Sequence, residues 1–177
     1  MPFTLQQLSD IEEIKILKHR YFRGIDTADM ALLAGLFTED VACTYNGGTY
    51  KVSFKGREAM LEFLANSFHS GAAAMHHGHM PEIIMTGDTS ATGIWYLEDV
   101  FIDIEKDQHT FGTAIYTDTY RCVGGTWKIE TTYYDRVIEV VTPFSQMGGK
   151  LTVQRLASVG RKPEERTDIS HLITWDA

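Results

Sequence analysis

The chain is predicted to be an α+β protein: N-terminal helices packed in a strongly curved antiparallel or mixed sheet that forms a half-open cone with an interior pocket. Three observations predict this. Helical periodicity is confined to the first part, between Leu8 and Phe68. From Met75 to Val141 the pattern reads as strand, in segments long enough to demand strong curvature. Helices precede a long meander, which is the order of an α+β fold.

The elements follow in turn. Leu8, Ile11, Ile14, Leu17, Tyr21 and Ile25 recur at three- and four-residue steps, the mark of a helix with one buried face. Ser9 with Glu12 reads as a capping box at its start, and Gly24 to Thr27 as its end. Met30–Phe37 reads as a second, shorter helix capped by Asp29. Val41–Tyr45 and Thr49–Phe54, joined by Asn46-Gly47-Gly48, read as a hairpin. Arg57–Phe68 returns to helical spacing through Met60, Leu61, Leu64 and Phe68. Four strands follow, Met75–Thr86, Ala91–Glu105, Thr110–Val123 and Thr126–Val141, separated by Gly87-Asp88, Lys106-Asp107 and Gly124-Gly125. Gly78, Gly93 and Gly112 are expected bend or bulge points. Residues 1–142 form one domain. Residues 143–177 lack a clear period and are expected to trail as a tail, or to lie across a neighbouring subunit.

The bulk composition sets limits. With 177 residues, 44% of them hydrophobic and 11% aromatic, the chain can fill a core and line an apolar pocket. A net charge of −8 argues against a nucleic-acid partner, which favours a basic face. Cys43 and Cys122 stand apart from any Cys-x-x-Cys pattern and read as ordinary thiols of a reducing compartment. No signal peptide and no bilayer-length apolar stretch is apparent, so a cytoplasmic protein without membrane contact is expected. Dinucleotide, Walker and nucleophile-elbow motifs are missing, which weakens nucleotide binding and serine hydrolysis.

One constellation suggests chemistry. His76 lies in Met75-His76-His77-Gly78-His79-Met80-Pro81, Tyr21 and Asp26 lie at the end of the first helix, and Glu98-Asp99 lies downstream. A histidine, acids and a tyrosine among apolar residues can build a buried acid–base site titrating near neutrality. Alternation puts His76 on one strand face, and His77 and His79 on the other. On the next strand Trp95, Leu97, Asp99 and Phe101 share a face, and a lone carboxylate there needs a partner. A histidine on the adjacent strand would suit it; a structural ion pair is the alternative. Tyr21 also belongs to the apolar stripe and reads equally as a core residue. Tyr45, Trp95 and Tyr116 are candidates to line a ligand cavity. Arg136 would hold an anionic substrate group or pair with an acid. His77 and His79 have the strand spacing of metal ligands, but no third ligand with helpful local spacing is visible, so no metal is expected.

Several stretches resemble SnoaL-like proteins of the nuclear-transport-factor-like superfamily, which includes scytalone dehydratase, bile-acid 7α-dehydratase and lindane dehydrochlorinase. The likeness is carried by Asp-Ile-Glu-Glu-Ile-Lys-x-Leu-Lys-x-Arg-Tyr-Phe-Arg-x-Ile-Asp over residues 10–26, Leu36-Phe37-Thr38-Glu39-Asp40, His76–Ile83, and Tyr120-Arg121 through Trp127-Lys128-Ile129. It spans about residues 8–140. It implies the cone fold, an interior pocket and a homo-oligomer, with a trimer favoured. It also implies that Asp26 and His76 work together, as in the dehydratases of this group. Tyr21 matches a tyrosine of the bile-acid enzyme, Asp99 a second acid, and Arg136 a late-strand arginine. Tyr116 stands near the place of a second sheet histidine of scytalone dehydratase, a departure that counts against scytalone itself as the substrate.

The function expected is therefore a cofactor-free lyase of dehydratase type. It would act by His/Asp chemistry on a hydroxylated ring or a polyketide- or steroid-like compound. Isomerisation or cyclisation, a non-catalytic apolar-ligand carrier and a subunit of a ring-hydroxylating dioxygenase are the rival expectations.

Overall fold

The computed structural model describes residues 3–175. Helix α1 runs over Leu5–Asp26. It starts a turn earlier than Ser9 and Glu12 suggested. Thr4 is the N-cap: its hydroxyl accepts the Gln7 N–H at 3.1 Å, and the Gln7 side chain accepts the Thr4 N–H at 2.9 Å. The reciprocal pair satisfies two donors that a helix start leaves free. Leu8 is half exposed, and the buried stripe begins at Ile11. Helix α2, Met30–Ala34, is short, with Asp29 capping it through the Leu32 N–H at 2.9 Å.

Strand β1, Phe37–Asn46, and β2, Tyr50–Lys55, form the hairpin, and α3, Arg57–Ser67, follows. Four long strands come next: β3 Ala72–Gly87, β4 Ser90–Asp103, β5 Gln108–Val123 and β6 Thr126–Pro143. Together with β7, Ile173–Trp175, they make one sheet of order β3-β4-β5-β6-β1-β2-β7. Among the described residues only β1 and β6 pair in parallel. The sheet curls around α1 and α3, whose apolar faces meet its inner face at Ile14, Tyr21, Ile25, Met60 and Leu64. Among the described residues no helix is long and apolar enough to cross a membrane.

The sheet glycines make room instead of making bulges. Gly78, Gly93 and Gly112 stay in register, paired with Leu97, Ile83 and Asp99. The bulges fall beside them, between His79 and Glu82 and between Thr113 and Ala114. Gly78 lets the Phe22 ring of α1 press onto the backbone of β3. At Gly112 a Cβ would stand 2.7 Å from the Arg136 guanidinium.

Residues 143–177, expected to trail or to cross to a neighbour, lie along their own chain as far as Trp175. Helix α4, Leu156–Val159, buries Leu156. Gln154 donates to the carbonyls of Ser70 and Ala72 at 2.8 and 3.1 Å. Arg161 makes a two-pronged ion pair with Glu62 at 2.7 and 2.8 Å, and Arg166 another with Glu105 at 2.9 and 2.8 Å. The segment ends as β7, antiparallel to β2. Side chains that look like scattered polar residues in sequence are the fasteners of a strap. Their partners lie about sixty to a hundred residues away, so no local period announces them.

Candidate active site

The cone encloses a cavity of about 590 Å³. It opens between α3, the ends of the long strands and the C-terminal strap. One wall is set by His76, which Asp26, the last residue of α1, anchors from behind. Because β3 is an edge strand, the His76 N–H has no strand partner beyond it. Asp26 fills that vacancy: Oδ2 accepts the His76 N–H at 3.0 Å, and Oδ1 lies 2.6 Å from Nδ1 of the same residue. A carboxylate only accepts, so Nδ1 carries the proton and Nε2 of the neutral ring keeps its lone pair. The imidazole is stacked on Phe22 at 6.3 Å and meets the edge of Phe68 at 5.4 Å. It lines the cavity. The pair is held in position, oriented and mostly dry.

Asp99 has a different partner from the one first expected. It stands opposite His76 in the β3–β4 register, yet its carboxylate accepts two N–H groups of Arg136, one of them at 2.9 Å. Glu139 flanks the same guanidinium at 3.1 Å from Nε. All three side chains are nearly buried. Burial works against the Arg136 charge, but the Asp99 hydrogen bonds and the charge interactions with Asp99 and the neighbouring tyrosines together outweigh it and keep the guanidinium protonated. Asp99, Gly112 and Glu139 are in register on β4, β5 and β6, and the missing side chain of Gly112 leaves space for the guanidinium. Two carboxyl groups thus face one cation. Of the two readings of Arg136, acid pairing is the one observed.

The cavity floor is made of tyrosines. The Tyr21 and Tyr45 hydroxyls are 2.9 Å apart. Tyr45 stacks on Tyr134 at 4.5 Å, and the Tyr134 hydroxyl is hydrogen-bonded to that of Tyr50. Tyr116 sets its ring edge-on among Tyr21, Tyr45 and Tyr134. Burial raises the pKa of Tyr21, Tyr45, Tyr116 and Tyr134 above the ordinary phenol value, so these hydroxyls remain donors at any physiological pH.

Beneath the floor lies a sealed ion pair. Lys18 Nζ is 2.7 Å from Asp118, both side chains having no exposure. The ammonium sits 3.5 Å from the centre of the Tyr116 ring. Burial lowers the Lys18 pKa, and Asp118 opposes that shift. Asp118 also accepts the Tyr120 hydroxyl at 2.9 Å, and Tyr120 accepts the Trp95 indole N–H at 2.9 Å. Trp95, expected to face a ligand, is therefore fully buried beneath α1 and away from the cavity lining. Its strand face is the inner one, but α1 covers that stretch.

The strap roofs the cavity with Ile169, Ile173 and Trp175. His69, on the turn after α3, also lines it. Its Nδ1 accepts the Gly71 N–H at 3.0 Å. Burial, and then the Arg166 charge, lower its pKa and favour the neutral ring.

Of the predicted residues, the structure brings His76 and Asp26 together, and Tyr21, Tyr45, Tyr116, Asp99 and Arg136 line the same cavity. Sequence reasoning missed Lys18, Asp118, Glu139, Tyr134 and His69. A signal existed for the first two: Lys18 falls on the stripe of Ile14, Tyr21 and Ile25, and Asp118 alternates with Tyr116 and Tyr120.

The same cone occurs in proteins of known structure. A hexachlorocyclohexane dehydrochlorinase of Novosphingobium barchaimii superposes with a TM-score of 0.70 at 20% identity, over 84% of this chain and 98% of that chain. A proposed scytalone dehydratase of Novosphingobium aromaticivorans gives a TM-score of 0.67 at 20% identity, over 94% of this chain and 100% of that one. A Mycobacterium tuberculosis protein of unknown function gives 0.60 at 22% identity, over 86% and 91%. Identity at this level speaks for the shared fold and not for shared chemistry. Residues 6–133 match the family model described as the SnoaL-like domain, and the chain belongs to that family.

Proposed function

We propose that the chain is a lyase of dehydratase type that removes water from a hydroxylated ring or a polyketide- or steroid-like small molecule by acid–base chemistry of its own side chains. The observation that carries this is the His76–Asp26 pair at the cavity wall, with Nδ1 bound to the carboxylate at 2.6 Å. That contact fixes the tautomer whose Nε2 is basic.

In the reaction, Nε2 takes the proton from carbon next to a carbonyl, and the C–H electron pair becomes that of an enolate. The enolate then forms the carbon–carbon double bond as the C–O bond at the next carbon breaks. The imidazolium returns its proton to the departing hydroxyl, which leaves as water. Asp26 balances the imidazolium charge in between. One proton of the Tyr21–Tyr45 hydroxyl pair is used between the two, and the other is donated to the enolate oxygen, while the Asp99–Arg136–Glu139 group orients the polar end of the substrate. Assistance of this kind is typically worth about 10²–10⁴-fold per group. Positioning in a water-poor cavity adds to it. The cavity volume of about 590 Å³ suits one small multi-ring molecule. Relatives of this fold include a dehydrochlorinase and a proposed scytalone dehydratase, both eliminating by name.

The test uses a panel of hydroxylated cyclic ketones with product mass as readout. Loss of one water supports dehydration. An unchanged mass with a new chromophore points to the isomerase reading, which uses the same base. Binding without turnover that survives His76→Ala and Asp26→Asn points to a ligand carrier. A homotrimeric assembly in the cytoplasm belongs to the same proposal, and mass measurement of the native protein tests its size.

A further inference from the structure

We propose that His77, His79 and Glu98 form a divalent transition-metal site on the outer face of the sheet, clamping the free edge strand β3 to β4. Sequence spacing gave two of the three ligands. The third comes from the neighbouring strand: Glu98 is the direct cross-strand partner of His77. One imidazole nitrogen from each histidine and one Glu98 oxygen all lie within 4.8 Å of one another. A tetrahedral ion with bonds of about 2.1 Å needs ligand atoms about 3.4 Å apart. His79 Nε2 and Glu98 Oε2 are already 3.7 Å apart, and the two imidazole rings are 6.0 Å apart at 72°. Small side-chain rotations close the set.

Several features favour an ion here over an idle surface patch. The ligands sit on paired strands with continuous register from Ala72 to His79, so their backbones are held at fixed spacing. Among the described residues no hydrogen bond to another side chain occupies any of the three; His79 and Glu98 face each other beyond hydrogen-bond distance. Two neutral imidazoles and one carboxylate select Zn²⁺, Co²⁺, Ni²⁺ or Cu²⁺ over Mg²⁺ and Ca²⁺, which prefer all-oxygen sets. His77 and His79 also border a shallow cleft of about 460 Å³ beside α1, which leaves room for solvent at the remaining coordination positions.

The placement has a consequence for β3. This strand is the sheet edge and has a ladder on one side only. His76, immediately before His77, points to the opposite face, into the cavity. An ion bridging β3 and β4 binds the paired state and not the separated one, so it stabilises the edge by mass action. The clamp is independent of the reaction proposed for the cavity.

The experiment uses the tag-free, metal-stripped full chain, titrated with Zn²⁺ by calorimetry and with Co²⁺ by visible absorption. Expected are one equivalent per chain, a tetrahedral or five-coordinate Co²⁺ spectrum, and a higher melting temperature with Zn²⁺. His77→Ala, His79→Ala and Glu98→Gln, each checked by circular dichroism for an unchanged fold, should each weaken binding more than about tenfold, since even indirect partners of metal ligands matter by 10–100-fold. His76→Ala should bind as the parent does. The proposal is overturned if no saturable equivalent is taken up, or if uptake survives the three substitutions. It is equally overturned if uptake is lost in His76→Ala alone, which would move the ion into the cavity, or if half an equivalent binds between two chains.

Discussion

Helix α1 is tied to the sheet by a histidine–carboxylate hydrogen bond and by an ion pair, and the two differ in what lies beside them. Asp26 meets His76 at 2.6 Å behind the face of the ring that lines the cavity, with the Asp26 side chain 24% exposed beside a shallow cleft. Lys18 meets Asp118 at 2.7 Å with neither side chain exposed. The first pair borders space that a ligand can fill. The second is closed in by Tyr21, Phe22 and Tyr116 and does not line that cavity. Similar local chemistry thus serves two ends. A pair with one face on a cavity can exchange protons with a guest, whereas a sealed pair can only be satisfied or left unsatisfied.

The largest effect expected of this comparison is on turnover. His76→Ala should lower the rate on any confirmed substrate by about 10²–10⁴-fold in a variant that still folds, because the truncated ring is replaced by a wider cavity wall. Asp26→Asn should follow in the same direction, since an amide can place its N–H₂ against Nδ1 and hold the wrong tautomer. Steady-state rates and thermal melts of both variants check this. An unchanged rate in His76→Ala, with an intact fold, removes the catalytic half of the comparison.

Next comes stability. Asp118→Ala leaves a fully buried ammonium without its carboxylate and should cost about 3–5 kcal/mol in chemical denaturation. The double replacement Lys18→Met with Asp118→Leu should recover most of that loss, because an apolar pair of similar volume avoids the desolvation of both charges. Asp118 Oδ1 has no hydrogen-bond partner among the described residues, which already weakens the native arrangement. A cost below about 1 kcal/mol for Asp118→Ala would show that water reaches Lys18 and that the two pairs do not differ in kind.

Gly112→Ala sharpens the comparison at the Arg136 group. The new Cβ would stand 2.7 Å from Arg136 Nη1 and 2.9 Å from the Ile138 carbonyl, and the backbone oxygen cannot retreat easily. We expect a loss of about 1–3 kcal/mol from overpacking, with a rise in KM greater than any fall in kcat. That split identifies Arg136 as an orienting residue and not an acid or base.

How far sequence reading reached follows from the range of each interaction. Elements with their own period were legible: α1 from its stripe, the β1–β2 hairpin from Asn46-Gly47-Gly48, and the four long strands from their turns. Alternation correctly put His76, and separately His77 and His79, on opposite faces. The pairing of Asp99 was not legible, because Arg136 and Glu139 come from a strand two places away and meet it only through the space at Gly112. The apolar stripe drew attention away from Lys18, a charge in a core position. The strap was missed for a similar reason: Glu62, Glu105 and Asn66 hold Arg161, Arg166 and Thr167 at separations that no local pattern encodes.

The smallest expected effect concerns that strap, and it depends on pH. Arg161, Thr167 and Asn66 hold the Glu62 carboxyl down to about 2, and Arg166 lowers Glu105. A carboxyl whose folded-state pKa is depressed binds fewer protons than it does in the undocked chain. Docking is therefore favoured above the ordinary value of 4.5 and weakens as pH falls from there toward about 2. His69 acts in the same direction, since its buried ring resists the charge that falling pH adds. The contribution is modest because the Glu62 and Arg161 side chains are 37% and 31% exposed, and pairs so open to water are screened. Hydrogen exchange should show amides of residues 161–175 losing protection between pH 4.5 and 3 while those of α1 and β5 keep theirs. Glu62→Gln should show the same loss at neutral pH. If strap and core amides open together at every pH, the roof of the cavity belongs to the same cooperative unit as the Lys18–Asp118 pair beneath its floor, and the strap is no separate fastener.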